Sequence, residues 1–183
     1  MGAARITFEG AKASRLGDGS VDTLAALERV VAAAKIAYCH EALGLMESAL
    51  RLTTDYLTTR KQFGMTLNRF QALTFRAADM YTSLELSRSI VTWATMVLAD
   101  HASTPQQVSD AARRAKLQVS KAGRHVGQEA IQLHGGIGMT AEYAVGHMTS
   151  RLTVIDHLLG DGREQTKHLL TTLTDHDVVE PVG

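Results

Sequence analysis

The chain has 183 residues, 45% of them hydrophobic and 21% charged, which is enough to bury one sizeable core and is most economically read as one domain. Nineteen basic residues balance nineteen acidic ones and neither sign gathers in a long run, so the electrostatic footprint of a nucleic-acid binder is excluded. Charges interrupt every apolar run before it reaches the roughly 20 residues that span a bilayer, Arg5 and Glu9 stand where a secretory signal needs an apolar stretch, and Cys39 has no second cysteine to pair with; the reading is a cytoplasmic protein without membrane insertion.

Residues 1–19 differ from the rest. Residues 4–11 read as a short extended segment and 15–20 as a turn and linker, and a lone strand is unstable, so this stretch is expected to be the remnant of a preceding β-domain. A first helix opens near Asp22 and is expected to run about 35 residues, over 21–59, on Leu24, Leu27, Val31, Ala34 and Tyr38, then Ala42, Leu45, Ala49, Leu52 and Tyr56. A second, over 68–100, carries Phe70, Leu73, Ala77, Met80, Leu84, Ser87, Val91, Ala94 and Leu98 at alternating steps of three and four, which is a bundle seam. A third, over 105–133, starts with Thr104 as N-cap, Pro105 in the first turn and Gln107 to complete a capping box, and ends at Gly135 and Gly136. A fourth is expected from Thr140 through Val145, Met148, Leu152, Ile155 and Leu159, and a fifth from Asp161 with Glu164 three residues on.

The predicted fold is all-α: an antiparallel up-and-down bundle of three long and two shorter helices over 20–174, with no sheet beyond residue 20 and a flexible tail at 175–183. His125 and Glu129 share a helix face, but no third ligand and no HExxH accompany them, so no metal site is expected. His134 is expected to pack or cap, and Cys39 to be a small core residue.

Two segments carry a resemblance. The run Tyr56-Leu-Thr-Thr-Arg60-Lys61-Gln62-Phe63-Gly64, followed by Phe70-Gln71, and the run Ala130-Ile-Gln132-Leu-His134-Gly135-Gly136-Ile-Gly138-Met-Thr140-Ala-Glu142-Tyr143 are similar to two motifs of the acyl-CoA dehydrogenase C-terminal domain, in the right order and spacing, over residues 20–174. The chemistry fits the resemblance, since glycines let a backbone approach a phosphate and an arginine offers a charged fork to a diphosphate. The resemblance implies FAD as cofactor, shared across a subunit interface, with Arg60, Phe63, Gln71, Gln132, Gly135 and Gly136 at its contacts. Read without it, Gly135 and Gly136 are a helix C-cap and Phe63 and Phe70 plain core aromatics.

The family's reaction removes an α-proton from an acyl-CoA thioester while the β-hydride passes to the flavin, so a carboxylate base must adjoin the substrate. By the resemblance its two usual positions fall on Gly160, counted from Arg151, and on Ala34, counted back from Arg60; neither is an acid. Asp161 adjoins the first and is the leading candidate base, although its place also suits a helix N-cap. Glu28, six residues before the second and about 9 Å away along the helix axis, is the other.

The implied function is oxidation of an acyl-CoA to its 2,3-enoyl-CoA by a complete enzyme, with this domain inactive alone and associating as a dimer or tetramer. Acyl-CoA oxidases and flavin hydroxylases share the architecture. A non-catalytic subunit of a heteromeric dehydrogenase, completed by a second dehydrogenase subunit, and a purely structural helical oligomerisation module are the alternatives.

Overall fold

The computed structural model describes residues 4–14, 17, 19 and 22–172; the expected tail at 175–183 lies outside them, as do residues 15, 16, 18 and 20 of the expected linker. Residues 4–14 are exposed and take no strand or helix. Five α-helices follow: α1 (Thr23–Thr59), α2 (Gln71–Ala99), α3 (Pro105–His134), α4 (Ala144–His157) and α5 (Gly162–Thr171).

Caps set three of the starts. Asp22 accepts from the amides of Leu24 and Ala25, and Asp161 accepts from that of Glu164. At Thr104 the box closes both ways: its hydroxyl accepts from the Gln107 amide at 3.2 Å, and Gln107 Oε1 accepts from the Thr104 amide at 2.8 Å.

Cross-helix pairs fix the directions. Arg29 Nη2 donates to the Leu98 carbonyl at 2.8 Å and Arg88 faces Glu47 at 3.5 Å, so α1 and α2 are antiparallel. Arg76 with Glu129 and Ser83 with His125 pair α2 against α3 in the same sense. Thr149 with Gly127 and Lys116 with Ile155 do so for α3 and α4. Helix α3 packs against all four others and is the centre of the bundle. Small residues let its neighbours close in: Ala111, Ala112, Ala115, Ala122 and Ala130 are all buried along it.

The α2 seam is buried at Met80, Leu84, Ser87, Val91 and Ala94, as the spacing predicts. On α1 the expected stripe needs correction. Leu24 and Leu27 are 66% and 57% exposed, and the core begins only at Ala32 and Ile36. The reason lies in the partner: Arg29 already stands level with the end of α2, so the first turns of α1 run past the end of that helix. Further along, Tyr38, Leu45 and Leu52 are half-buried beside a stripe led by Cys39, Leu43, Met46 and Leu57.

A second correction concerns the segment between α1 and α2. It holds a small antiparallel hairpin, β1 (Lys61–Gln62) paired with β2 (Met65–Thr66), where no sheet was expected. Its two-residue turn is Phe63 and Gly64 with φ of +52° and +80°, the doubly left-handed conformation that matches hairpin twist. A third lies before α4, which begins at Ala144 and not at Thr140. The glycine run folds into a 3-10 turn (Gly135–Met139) closed by Thr140 Oγ1 donating to the Ile137 carbonyl at 2.9 Å. Gly138 presses against the end of α3, where a β-carbon would stand 2.9 Å from the Ile131 carbonyl oxygen. Only glycine lets this turn fold back so closely.

Candidate functional site

Helix α1 stops at Arg60, whose amide donates to the Tyr56 carbonyl while its own carbonyl accepts from the Leu67 amide. Helix α3 stops at Gly135, whose φ of +64° ends the regular backbone. The two ends meet at a cavity of about 470 Å³. Four of the six cofactor residues expected from sequence, Arg60, Gln132, Gly135 and Gly136, line it, together with Tyr56, Gln62 and His134. Phe63 and Gln71 do not. Phe63 is 88% exposed at the hairpin tip with its ring edge-on to Phe70 at 6.3 Å, and Gln71 is exposed at the first residue of α2.

His134 packs, as expected. It is buried, its Nδ1 faces the Ala130 carbonyl at 2.7 Å, and its ring stacks on Tyr56 at 4.6 Å and meets Tyr143 edge-on at 5.1 Å. A carbonyl only accepts, so Nδ1 carries a hydrogen, and Nε2 has no hydrogen-bond partner among the described residues. Sequence reading missed Tyr56 and His134 as a unit, because stacking between two helix ends leaves no local pattern.

The two candidate bases stand apart. Asp161 lines a larger cavity, about 610 Å³, between α3 and the α4–α5 corner, with Ser120, Lys121, Arg124, His157 and Arg163 around it. Its Oδ1 accepts from the Glu164 amide at 2.9 Å, and this bond holds its carboxyl below the usual range. The N-cap role is therefore real, and the carboxylate is ionised at neutral pH. Glu28 is exposed beside a smaller cavity of about 160 Å³, shared with Lys35 and Arg113.

The two positions at which the resemblance implies a base differ in character. Ala34 is half-buried on α1. Gly160 has φ of +93°, and a β-carbon there would stand 2.5 Å from Gln165 Nε2 and 2.9 Å from the Glu164 carboxylate. The backbone at this corner is built for glycine.

His125 and Glu129 are engaged elsewhere, with Ser83 at 2.9 Å and with the Arg76 guanidinium. No helix among the described residues is long and apolar enough to cross a membrane. Cys39 is fully buried and its thiol is pushed up to about 12 by burial, so it is an inert core residue.

Burial lowers the pKa of two lysines, Lys35 and Lys116, from the ordinary 10.5. Folded, each holds its proton less well than when unfolded, so stability rises with pH from the lowered value up to 10.5. Cys39 works the other way above its ordinary 9.0, because folding keeps it protonated. The parent is thus expected to gain stability relative to Lys116→Met as pH rises from 7 to 10, a comparison in which the Cys39 effect cancels. Urea unfolding at each pH measures it, and parallel curves would refute it.

The family model for the acyl-CoA dehydrogenase C-terminal domain matches residues 24–169. The chain is 36% identical over 136 residues to the acyl-CoA dehydrogenase IpdE2 of Mycobacterium tuberculosis, covering 74% of this chain and 40% of that one. Among solved structures it resembles the Tcur3481-Tcur3483 steroid ACAD, with a TM-score of 0.77 and 30% identity, over 82% of this chain and 41% of that one. Butyryl-CoA dehydrogenase from Megasphaera elsdenii matches with a TM-score of 0.73 and 26% identity, over 86% and 40%. The chain spans less than half the length of each of these relatives. With its five-helix bundle and both motifs in place, the chain belongs to the acyl-CoA dehydrogenase family, as its C-terminal helical domain.

Proposed function

We propose that this domain completes the FAD site of an acyl-CoA dehydrogenase that converts an acyl-CoA to a 2,3-enoyl-CoA, and does so across a subunit interface. The observation that carries the reading is the convergence of Arg60, Gln132, Gly135 and Gly136 on one open cavity. The residues fit the cofactor. Arg60 is exposed, with no hydrogen bond or ion pair from its side chain among the described residues, and a β-carbon at Gly135 or Gly136 would meet nothing within 4 Å, which leaves the backbone open to a phosphate. Phe63 and Gln71, exposed at the margin, are available to the part of the cofactor held by a neighbouring subunit. Bound FAD supplies the hydride acceptor. This chain's own residues then have two tasks: Arg60 and the glycine turn hold and orient the diphosphate end, and Asp161 accepts the substrate α-proton.

Self-association belongs to the same reading. Phe75, Leu86 and Trp93 lie on one face of α2 opposite its seam, 64%, 58% and 44% exposed, and a helix apolar on both faces calls for a partner on each. Light scattering behind a sizing column is expected to show a dimer or tetramer, together with the yellow of bound flavin in the complete protein. A colourless monomer would refute both.

A second reading is favoured by Gly160. With both usual base positions filled by Gly160 and Ala34, the chain also suits a subunit that completes the flavin site of a second dehydrogenase subunit without supplying the base. Flavin reduction by the complete chain alone, compared with a co-purified pair, separates the two.

A further inference from the structure

The corner between α4 and α5 is held from two sides by lysines that reach it through the core. Lys116, on α3, is fully buried, and a buried ammonium persists only where its donors find acceptors. Its Nζ donates to the carbonyl of Ile155 at 2.6 Å and to that of Asp156 at 2.9 Å, in the last turn of α4. Those carbonyls lack a full set of helical donors and carry the negative end of the helix dipole. Lys35, on α1, donates to Gln165 Oε1 at 3.4 Å, and Gln165 Nε2 donates onward to the Leu159 carbonyl at 3.2 Å. Gln165 is itself fully buried.

Between the two points of attachment lie Leu159 and Gly160, with φ of +57° and +93°. A leucine enters that region only where its surroundings over-determine it. Lys116 ends on the corner itself, and Lys35, from a different helix, ends on the glutamine that grips it. The next residue is Asp161. Asp156, whose carbonyl Lys116 holds, turns its carboxylate to Arg124 at 3.3 Å in the wall of the same cavity.

We propose that Lys116 is a positioning residue for the α4–α5 corner, with Lys35 and Gln165 as a second strut, and that through this corner it sets Asp161 against the cavity between α3 and α5. The functional half rests on the reading of Asp161 as base; the mechanical half does not.

Lys116→Met keeps an unbranched stem and removes the donors. In this chain, amide exchange at residues 156–165 is expected to accelerate about tenfold or more, with amides of α1 and α2 within about twofold of the parent. An unchanged corner, or acceleration spread evenly over the bundle, overturns the proposal. If Lys116→Met does not fold, Gln165→Leu cuts the second strut and is held to the same two outcomes.

In the complete enzyme, Lys116→Met is expected to slow substrate-dependent flavin reduction about tenfold at unchanged FAD content, and by less than about twofold when Asp161→Asn is already present. Full additivity of the two changes overturns the functional half, because a lysine acting through Asp161 has nothing left to act on. A parental rate in Asp161→Asn alone refutes the base, and the exchange pattern then decides the brace by itself.

Discussion

Asp161→Asn in the complete enzyme is expected to slow flavin reduction by acyl-CoA roughly a hundredfold or more while FAD stays bound and the bundle stays folded. The substitution separates the observed cap from the proposed base. As an N-cap, Asp161 offers one oxygen to the Glu164 amide, and an asparagine carbonyl offers the same oxygen at the same place, since the two residues rank together at this position. As a base, it must take a proton, which an amide cannot do. The parent carboxyl is ionised at neutral pH, as a base requires, and the Glu164 amide lowers its proton affinity further. Loss of general-base assistance slows the step by roughly a hundredfold or more. Anaerobic mixing with substrate, followed by bleaching of the flavin band, measures it. Glu28→Gln serves as the parallel test, and its cavity is a different one, so the two results are independent. Parental bleaching in Asp161→Asn with loss in Glu28→Gln would move the base to α1. Parental bleaching in both would move it to another chain.

Arg60→Ala is expected to release FAD. The guanidinium has no competing ion pair among the described residues and lines the cavity that Gln132 and the glycine turn also line. A charge-assisted contact to a diphosphate contributes about 1.5–3 kcal/mol, so retention should weaken roughly ten- to a hundredfold. Equilibrium dialysis of the purified enzyme against FAD reads this directly. Lys61→Ala is the control: Lys61 is exposed on β1 and does not line the cavity, and its removal should leave FAD occupancy where it was. Equal occupancy in Arg60→Ala and the parent would make the Arg60 motif a matter of packing only.

Local chemistry made much of this domain legible in advance. The capping box at Thr104, the cap at Asp161 and the seam from Met80 to Ala94 depend on neighbours within four residues, and all three are realised. What depends on distant neighbours was not readable. The α1 core stripe starts late because α2 ends at the level of Arg29. The hairpin escaped notice because its turn places Phe63, a residue with no turn preference, in a left-handed backbone. Nothing local marks Lys35, Lys116 and Gln165 as buried, and only their distant partners explain why they are. The motifs named Arg60, Gln132 and the two glycines, which the fold brings to one cavity, whereas the ring stack of Tyr56 on His134 joins two helix ends that no spacing rule connects.

The left-handed backbone at residue 160 limits how the chain can be re-engineered. A glutamate placed at that position would inherit a φ of +93° and meet Gln165 and Glu164 at its first carbon, so its carboxylate would be aimed by strain. Placing a base there therefore calls for transplanting the whole α4–α5 connection together with the residues that grip it. The unit of exchange in this domain is the loop with its two anchoring lysines, and a single codon is too small a graft.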